Sequence, residues 1–146
     1  MKKLRIYIDM DGVISDFDKA KRAYMKNRPD LHVDYKYLDL IEGAEEAVKY
    51  LHEHHEVFIA STPPWSRIQV WADKRAWLEE NFPYLKRRLI LTHRKDLLIG
   101  DVLIDDSRFR GQPDFKGHWF WFNKNWENKN WKACLEFIKK LENEEI

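Results

Sequence analysis

The chain has 146 residues, with 26 basic and 25 acidic side chains for a net charge of +1, a length that suits one self-supporting core and not two ordinary domains. The near-cancellation of charge excludes a global field that would draw nucleic acid or an anionic membrane, so neither is an expected partner and any ligand must be recognised locally. With one cysteine, Cys134, an intramolecular disulfide is excluded, and no stretch approaches the roughly 20 apolar residues that a membrane-spanning helix needs.

The N-terminal Met-Lys-Lys-Leu-Arg-Ile leads into a short apolar run, Leu4 to Ile8, which Asp9 ends. That predicts a strand and not a signal peptide, and a cytoplasmic protein is the expectation. Phe17, Ala20 and Tyr24 follow at helical spacing and predict a helix with Phe17 on its core side. The polar stretch from Asn27 to Leu40 reads as an irregular or partly helical insertion. Ala44, Ala47, Val48 and Leu51 predict the next helix. At its end His52, His54 and His55 have no companion cluster and read as surface residues, not metal ligands. Val57 to Ala60 predicts the second strand, and Ile68, Trp71, Leu78 and Phe82 share one face of a helix behind it. Leu89 to Leu91, Val102 to Ile104 and Trp119 to Phe122 complete five strands, with Trp119 and Trp121 covering the sheet. Trp131, Cys134, Ile138 and Leu141 predict a C-terminal helix with Cys134 as a core hydrophobe. Strands alternating with helices predict one α/β domain over residues 1–146, a three-layer Rossmann-like fold whose five-stranded parallel sheet carries helices on both faces.

Ligands of such sheets bind beyond the carboxyl ends of the strands, and polar groups gather there. The first strand runs into Asp9-Met10-Asp11-Gly12-Val13, the second ends in Ser61-Thr62-Pro63, the third is followed by Lys95, and the fourth ends in Asp105-Asp106. Clustered carboxylates repel one another unless a cation sits among them, and hard oxygen ligands suit Mg²⁺. A lysine and a hydroxyl beside them suit a phosphoryl group, and an aspartate can serve as nucleophile through an aspartyl-phosphate.

These four motifs, in this order and at these strand ends, resemble those of the haloacid-dehalogenase superfamily. The resemblance implies a HAD-like sheet in the order 5-4-1-2-3. It implies that Asp9 attacks phosphorus and that Asp11 acts first as general acid and then as base. Ser61 would bond a phosphoryl oxygen, and Lys95 would stabilise nucleophile and transferring group. Asp9, the backbone carbonyl of Asp11 and Asp106 would hold Mg²⁺, with Asp105 as a ligand or as support for one. Within the superfamily, the stretches Asp9 to Phe17, Phe58 to Pro63, Leu91-Thr92 with Lys95, Gly100 to Asp106 and Arg110-Gly111-Gln112 are similar to the 5′(3′)-deoxyribonucleotidases. That likeness implies a nucleoside monophosphate substrate, Phe17 against its base, and Thr62 and Lys74 as further phosphate-side residues.

One departure stands out: Asp9 and Ser61 are only 52 positions apart, so the cap between the first two motifs, over about residues 17–41, is reduced. A smaller lid admits a broader set of phosphate esters, or a neighbouring subunit of a homo-oligomer completes it. Three readings stay open: a deoxyribonucleotidase, a phosphatase of another small ester or a nucleic-acid end, and a non-enzymatic phospho-acceptor. The last is disfavoured because the third strand leads to Thr92-His93 and not to an aspartate.

Overall fold

In a computed structural model that describes residues 1–27 and 34–144, strands β1 (Arg5–Ile8), β2 (Glu56–Ser61), β3 (Leu89–Leu91), β4 (Val102–Asp105) and β5 (His118–Trp121) form one parallel sheet in the order β3-β2-β1-β4-β5. This is the order that the resemblance implies. Among the described residues four α-helices accompany it, α1 (Phe17–Asn27), α2 (Ala44–His54), α3 (Ile68–Asn81) and α4 (Trp131–Glu142). Of the cap expected over about 17–41, residues 28–33 lie outside the described residues.

Strand alternation divides the core between the two faces of the sheet. Ile6, Ile8, Val57, Ile59, Val102 and Ile104 pack with Ala44 and Leu51 of α2, Val70 and Trp77 of α3, and Cys134 and Ile138 of α4. Tyr7, Ala60 and Leu103 point the other way and pack with Phe115 and Leu98. These two residues follow short 3₁₀ helices, Gln112–Asp114 and Lys95–Leu97. The layers are therefore unequal: α2, α3 and α4 pack on one face, and among the described residues 3₁₀ turns with their loops cover the other, while α1 belongs to the cap beyond the strand ends. Cys134 is fully buried, and burial pushes its thiol pKa up.

Two sequence expectations need correction. Helix α3 does not bury the face of Ile68 and Trp71; Ile68 is 84 % exposed, and the buried face is Val70, Lys74, Trp77 and Leu78. A lysine interrupts the apolar stripe, which hid the true face. His55 is buried, not on the surface. Its Nδ1 accepts the Leu4 N–H at 3.0 Å, so Nε2 carries the ring proton and donates to Glu142 of α4 at 2.7 Å. The chain runs β1, β2, β3 in one direction and returns past β1 to place β4 on its other side. The reversal makes the carboxyl end of β1 the switch point where such sheets bind ligands.

Candidate active site

At that switch point the Asp9 N–H donates to the Ile104 carbonyl at 2.8 Å, tying the start of the loop to β4. The Met10 carbonyl accepts from the N–H groups of Val13, Ile14 and Ser15 at 3.2, 2.9 and 3.0 Å, which closes a tight turn. Gly12 takes a left-handed φ of 82° in it, and a Cβ there would stand 2.0 Å from Asp106 Oδ2. Only glycine permits both the turn and the close approach. From the far side of the loop, Trp131 of α4 donates its indole N–H to the Val13 carbonyl at 2.8 Å.

Lys95 is buried and donates to Asp9 Oδ1 at 2.8 Å and to Asp105 Oδ2 at 2.5 Å. The loop after β4 holds its turn in place. The Lys95 N–H donates to the Arg110 carbonyl at 2.7 Å, the Arg110 N–H donates to Gln112 Oε1 at 2.8 Å, and Gly111 packs so closely on Asp96 that a Cβ would stand 2.4 Å from its carboxylate. That bond also orients the Gln112 amide, whose Nε2 is buried without a partner among the described residues. Asp105 uses its other oxygen to accept the Ser107 N–H at 2.9 Å. Trp119 and Trp121, stacked at 5.2 Å, donate their indole N–H groups to the Asp105 and Asp106 carbonyls at 3.2 and 3.1 Å. Trp119 packs on the sheet as expected, Trp121 is 43 % exposed, and both fix the backbone of the acidic pair.

Carboxylate oxygens of Asp9, Asp105 and Asp106 all lie within 4.8 Å of one another. Burial and then the Asp9 charge push Asp105 up to about 6, with Lys95 opposing. Asp106 is raised by the same two causes, desolvation of its carboxyl and then the Asp9 charge, although the residue keeps an exposed face. Burial would lower Lys95, but the charges of Asp9 and Asp105 outweigh it and hold the ammonium above its usual range. Three carboxylates against one lysine leave excess negative charge, and every donor is a hard oxygen. The set fits a divalent cation. Asp105 has both oxygens engaged, whereas among the described residues no side-chain cation, hydroxyl or amide donates to the Asp106 carboxylate. Asp9 and Asp106 are thus the carboxylates free to ligate.

Asp11 has both oxygens held, Oδ1 by the Ser15 hydroxyl at 2.9 Å and Oδ2 by Lys74 at 2.8 Å. Lys74 also donates to Ser61 Oγ at 2.9 Å. An ammonium only donates, so Ser61 accepts that bond and keeps its own O–H for a ligand. Thr62 spends its hydroxyl on the Thr92 carbonyl at 2.8 Å, joining the ends of β2 and β3. These strand ends floor a cavity of about 580 Å³ lined by Asp9, Asp11, Ser61, Thr62, Lys95, Asp105, Asp106 and Phe17 among others. Every residue singled out from sequence lines it except Lys74, which is buried behind Asp11 and Ser61. Phe17 stacks on Tyr35 at 5.2 Å. Tyr35, Trp65, Phe109 and Gln112 also line the cavity, and sequence reasoning singled out none of the first three. Tyr35 sat in the polar insertion, and Trp65 and Phe109 sit in loops without periodicity. Arg110-Gly111-Gln112 was visible only as part of the family likeness.

A family model described as 5′ nucleotidase, deoxy (Pyrimidine), cytosolic type C protein matches residues 24–132. Among similar proteins, one from Vibrio phage KVP40 named "Putative 5′(3′)-deoxyribonucleotidase" is 36 % identical over 124 residues, covering 77 % of this chain and 71 % of the relative. A Staphylococcus epidermidis protein with the same name is 29 % identical over 137 residues, covering 73 % and 76 %. The human cytosolic-type 5′(3′)-deoxyribonucleotidase is 27 % identical over 172 residues, covering 91 % and 82 %. That alignment is longer than the 146-residue chain, so the human protein carries stretches without a counterpart here. On the match to its model and on the sheet order, the chain belongs to this 5′-nucleotidase family of phosphatases, within the haloacid-dehalogenase superfamily.

Proposed function

We propose that the chain hydrolyses deoxyribonucleoside monophosphates through a phospho-aspartate on Asp9, with Mg²⁺ held by Asp9, Asp106 and the Asp11 carbonyl. The observation that carries this is the buried Lys95 bridging Asp9 and Asp105 beside Asp106 and Ser61. The relatives' printed names support the substrate class. When bound by these residues, the cation would neutralise charge on the phosphoryl oxygens and on the carboxylates around them.

Asp9 Oδ2, which has no hydrogen-bond partner among the described residues, attacks phosphorus, while Oδ1 accepts from Lys95 and keeps a second lone pair with which it would hold the cation. The ester P–O bond breaks, and its electron pair leaves with the alkoxide oxygen, which Asp11 protonates. Asp11 then takes a proton from water as that water attacks phosphorus, the Asp9–phosphorus bond breaks, and phosphate leaves. The Ser61 O–H donates to a phosphoryl oxygen, and Lys95, with two of its three N–H groups on carboxylates, aims the third at the transferring group. Lys74 acts through Asp11 and Ser61, which it orients together, and Thr62 fixes the loop that follows Ser61. Phe17 forms an apolar wall of the cavity.

The domain is read as a single one with a reduced cap over about 17–41, in keeping with the 52 positions between Asp9 and Ser61. Among the described residues no helix is long and apolar enough to cross a membrane, and a cytosolic setting is proposed on the human relative's name. Phosphate release from a panel of nucleoside monophosphates and simple esters, with Mg²⁺ and with chelator, tests the reading. Metal-dependent release preferring deoxyribonucleotides supports it, activity confined to other esters moves the substrate, and no release on any overturns it. The short cap favours the second outcome as the alternative reading, another small ester or a nucleic-acid end.

A further inference from the structure

Among the described residues, the cap side of the cavity offers little free aromatic surface. Phe17 and Tyr35 stack on each other, and the Tyr35 ring also carries the Lys74 ammonium at 4.8 Å and the Arg67 guanidinium at 5.9 Å. Both rings are largely spent on the protein. The free rings stand on loops of the sheet itself: Trp65 after β2 is 79 % exposed, Phe109 after β4 is 71 % exposed, and both line the cavity. Since β2 and β4 are the two neighbours of β1, these loops rise on either side of the strand that ends at Asp9.

Trp65 is held in its exposed position by several contacts. Pro63 and Pro64 restrict the backbone before it. Their carbonyls are pinned in turn, Pro63 by His93 Nε2 at 2.9 Å and Pro64 by the Trp71 indole N–H at 3.0 Å. The same two side chains meet the Trp65 ring edge to face, with centroids 5.8 and 6.1 Å away. The loop has therefore given up its freedom before a ligand arrives, while most of the indole stays in water. Such preorganisation favours a stacking partner, because the ordering cost no longer falls on binding. Trp65 is four residues beyond Ser61, so their Cα atoms are at most about 14 Å apart. Phe109 carries the Arg108 guanidinium 5.4 Å from its ring centroid, which covers one face and leaves the other.

Building on the hydrolase reading above, we propose that Trp65 is the stacking platform for the aromatic base of the substrate, with Phe109 as a second wall, so that the core loops do the base binding that a full cap would do. The enzyme then selects base-bearing phosphate monoesters over bare sugar phosphates, with tolerance among bases, because every base has a π-face.

Steady-state kinetics of the full chain with Mg²⁺ test this, comparing a deoxyribonucleoside 5′-monophosphate with 2-deoxyribose 5-phosphate. The expected result for Trp65→Ala is a loss of about 5- to 100-fold in kcat/KM on the nucleotide, mostly in KM, with the sugar phosphate changed less than about twofold. Trp65→Phe should keep most of the preference, and Phe109→Ala should lose a smaller part. An active wild type whose Trp65→Ala variant keeps its preference for the nucleotide overturns the platform and leaves the hydrolase reading standing. So does an equal loss on both substrates. A wild type inert on both overturns the hydrolase reading and the platform with it.

Discussion

Lys95, just beyond the edge strand β3, reaches Asp105 at the end of β4 to make a 2.5 Å hydrogen bond, although β2 and β1 lie between those strands. The bond crosses the centre of the sheet's carboxyl end and passes Asp9 on the way. Removing one member of a buried ion pair leaves the other charge uncompensated, at about 3–5 kcal/mol. Lys95→Met should therefore lower unfolding free energy by about that much and abolish turnover. Lys95→Met with Asp105→Asn should recover most of the stability and none of the activity, as denaturant melts and phosphate release would show. A stable single variant would remove the ion pair from the account of the fold.

The two aspartates of the first loop should separate by kinetics. Asp9→Asn should reduce hydrolysis to background, since an amide cannot serve as the nucleophile that forms the acyl phosphate. Asp11→Asn should retain divalent metal and fail on nucleotides. With p-nitrophenyl phosphate, whose leaving group needs no acid, it should release a burst of about one product per site and then stall. Steady turnover without a burst would take the water-activating role away from Asp11.

Gly12→Ala would force a side chain onto a φ of 82° and bring its Cβ to 2.0 Å from Asp106 Oδ2. The strain alone costs about 1–3 kcal/mol. Displacement of the Asp106 carboxylate should weaken divalent-cation affinity at least about tenfold, following the magnitude for disturbed ligand geometry. Isothermal titration with Mg²⁺ or Mn²⁺ measures it. Unchanged affinity would exclude Asp106 as a ligand.

The acidic cluster should set a pH dependence in the chelated protein. Asp105 is raised from 3.8 to about 6, and Asp106 is shifted the same way. A carboxyl with a raised folded pKa contributes stability that is complete below its unfolded value and is lost as pH rises through the folded one. Thermal midpoints in chelator should thus fall between about pH 4 and 6 from Asp105 and continue to fall above that from Asp106. Added Mg²⁺ should oppose the fall, with an increment that grows with pH. A pH-independent increment would place the cation elsewhere.

Glu142 offers a control remote from the chemistry. It accepts from His55 Nε2 at 2.7 Å and from the Tyr50 hydroxyl at 3.0 Å, tying α4 to α2 and, through Leu4, to β1. Glu142→Ala leaves a buried imidazole N–H unpaired and should cost about 1–3 kcal/mol of stability with kcat unchanged. A selective loss of kcat would reveal coupling to the site.

The strands, the α-helices and the four motifs were legible in the chain alone. Apolar runs such as Val102 to Ile104 are local signals, and so are the helical spacing of Ala44, Ala47, Val48 and Leu51 and the placing of Asp9, Ser61, Lys95 and Asp105-Asp106 after strands. A strand buried on both faces is continuously apolar whatever its neighbours, and motif order is a one-dimensional property. How those side chains divide their work depends on contacts between distant segments. Lys74 is a polar residue in any linear reading, and it became the buried link between Asp11 and Ser61 because α3 turns that face inward. His55 left the surface because Leu4 and Glu142, 51 and 87 residues away, supply its two partners. Asp105 and Asp106 are adjacent in sequence, but Lys95 and Ser107 engage one carboxylate and leave the other open toward Gly12. Hydrogen bonds between distant segments carry no periodic trace in the chain, so their pairing emerges only when the sheet order brings the strand ends together.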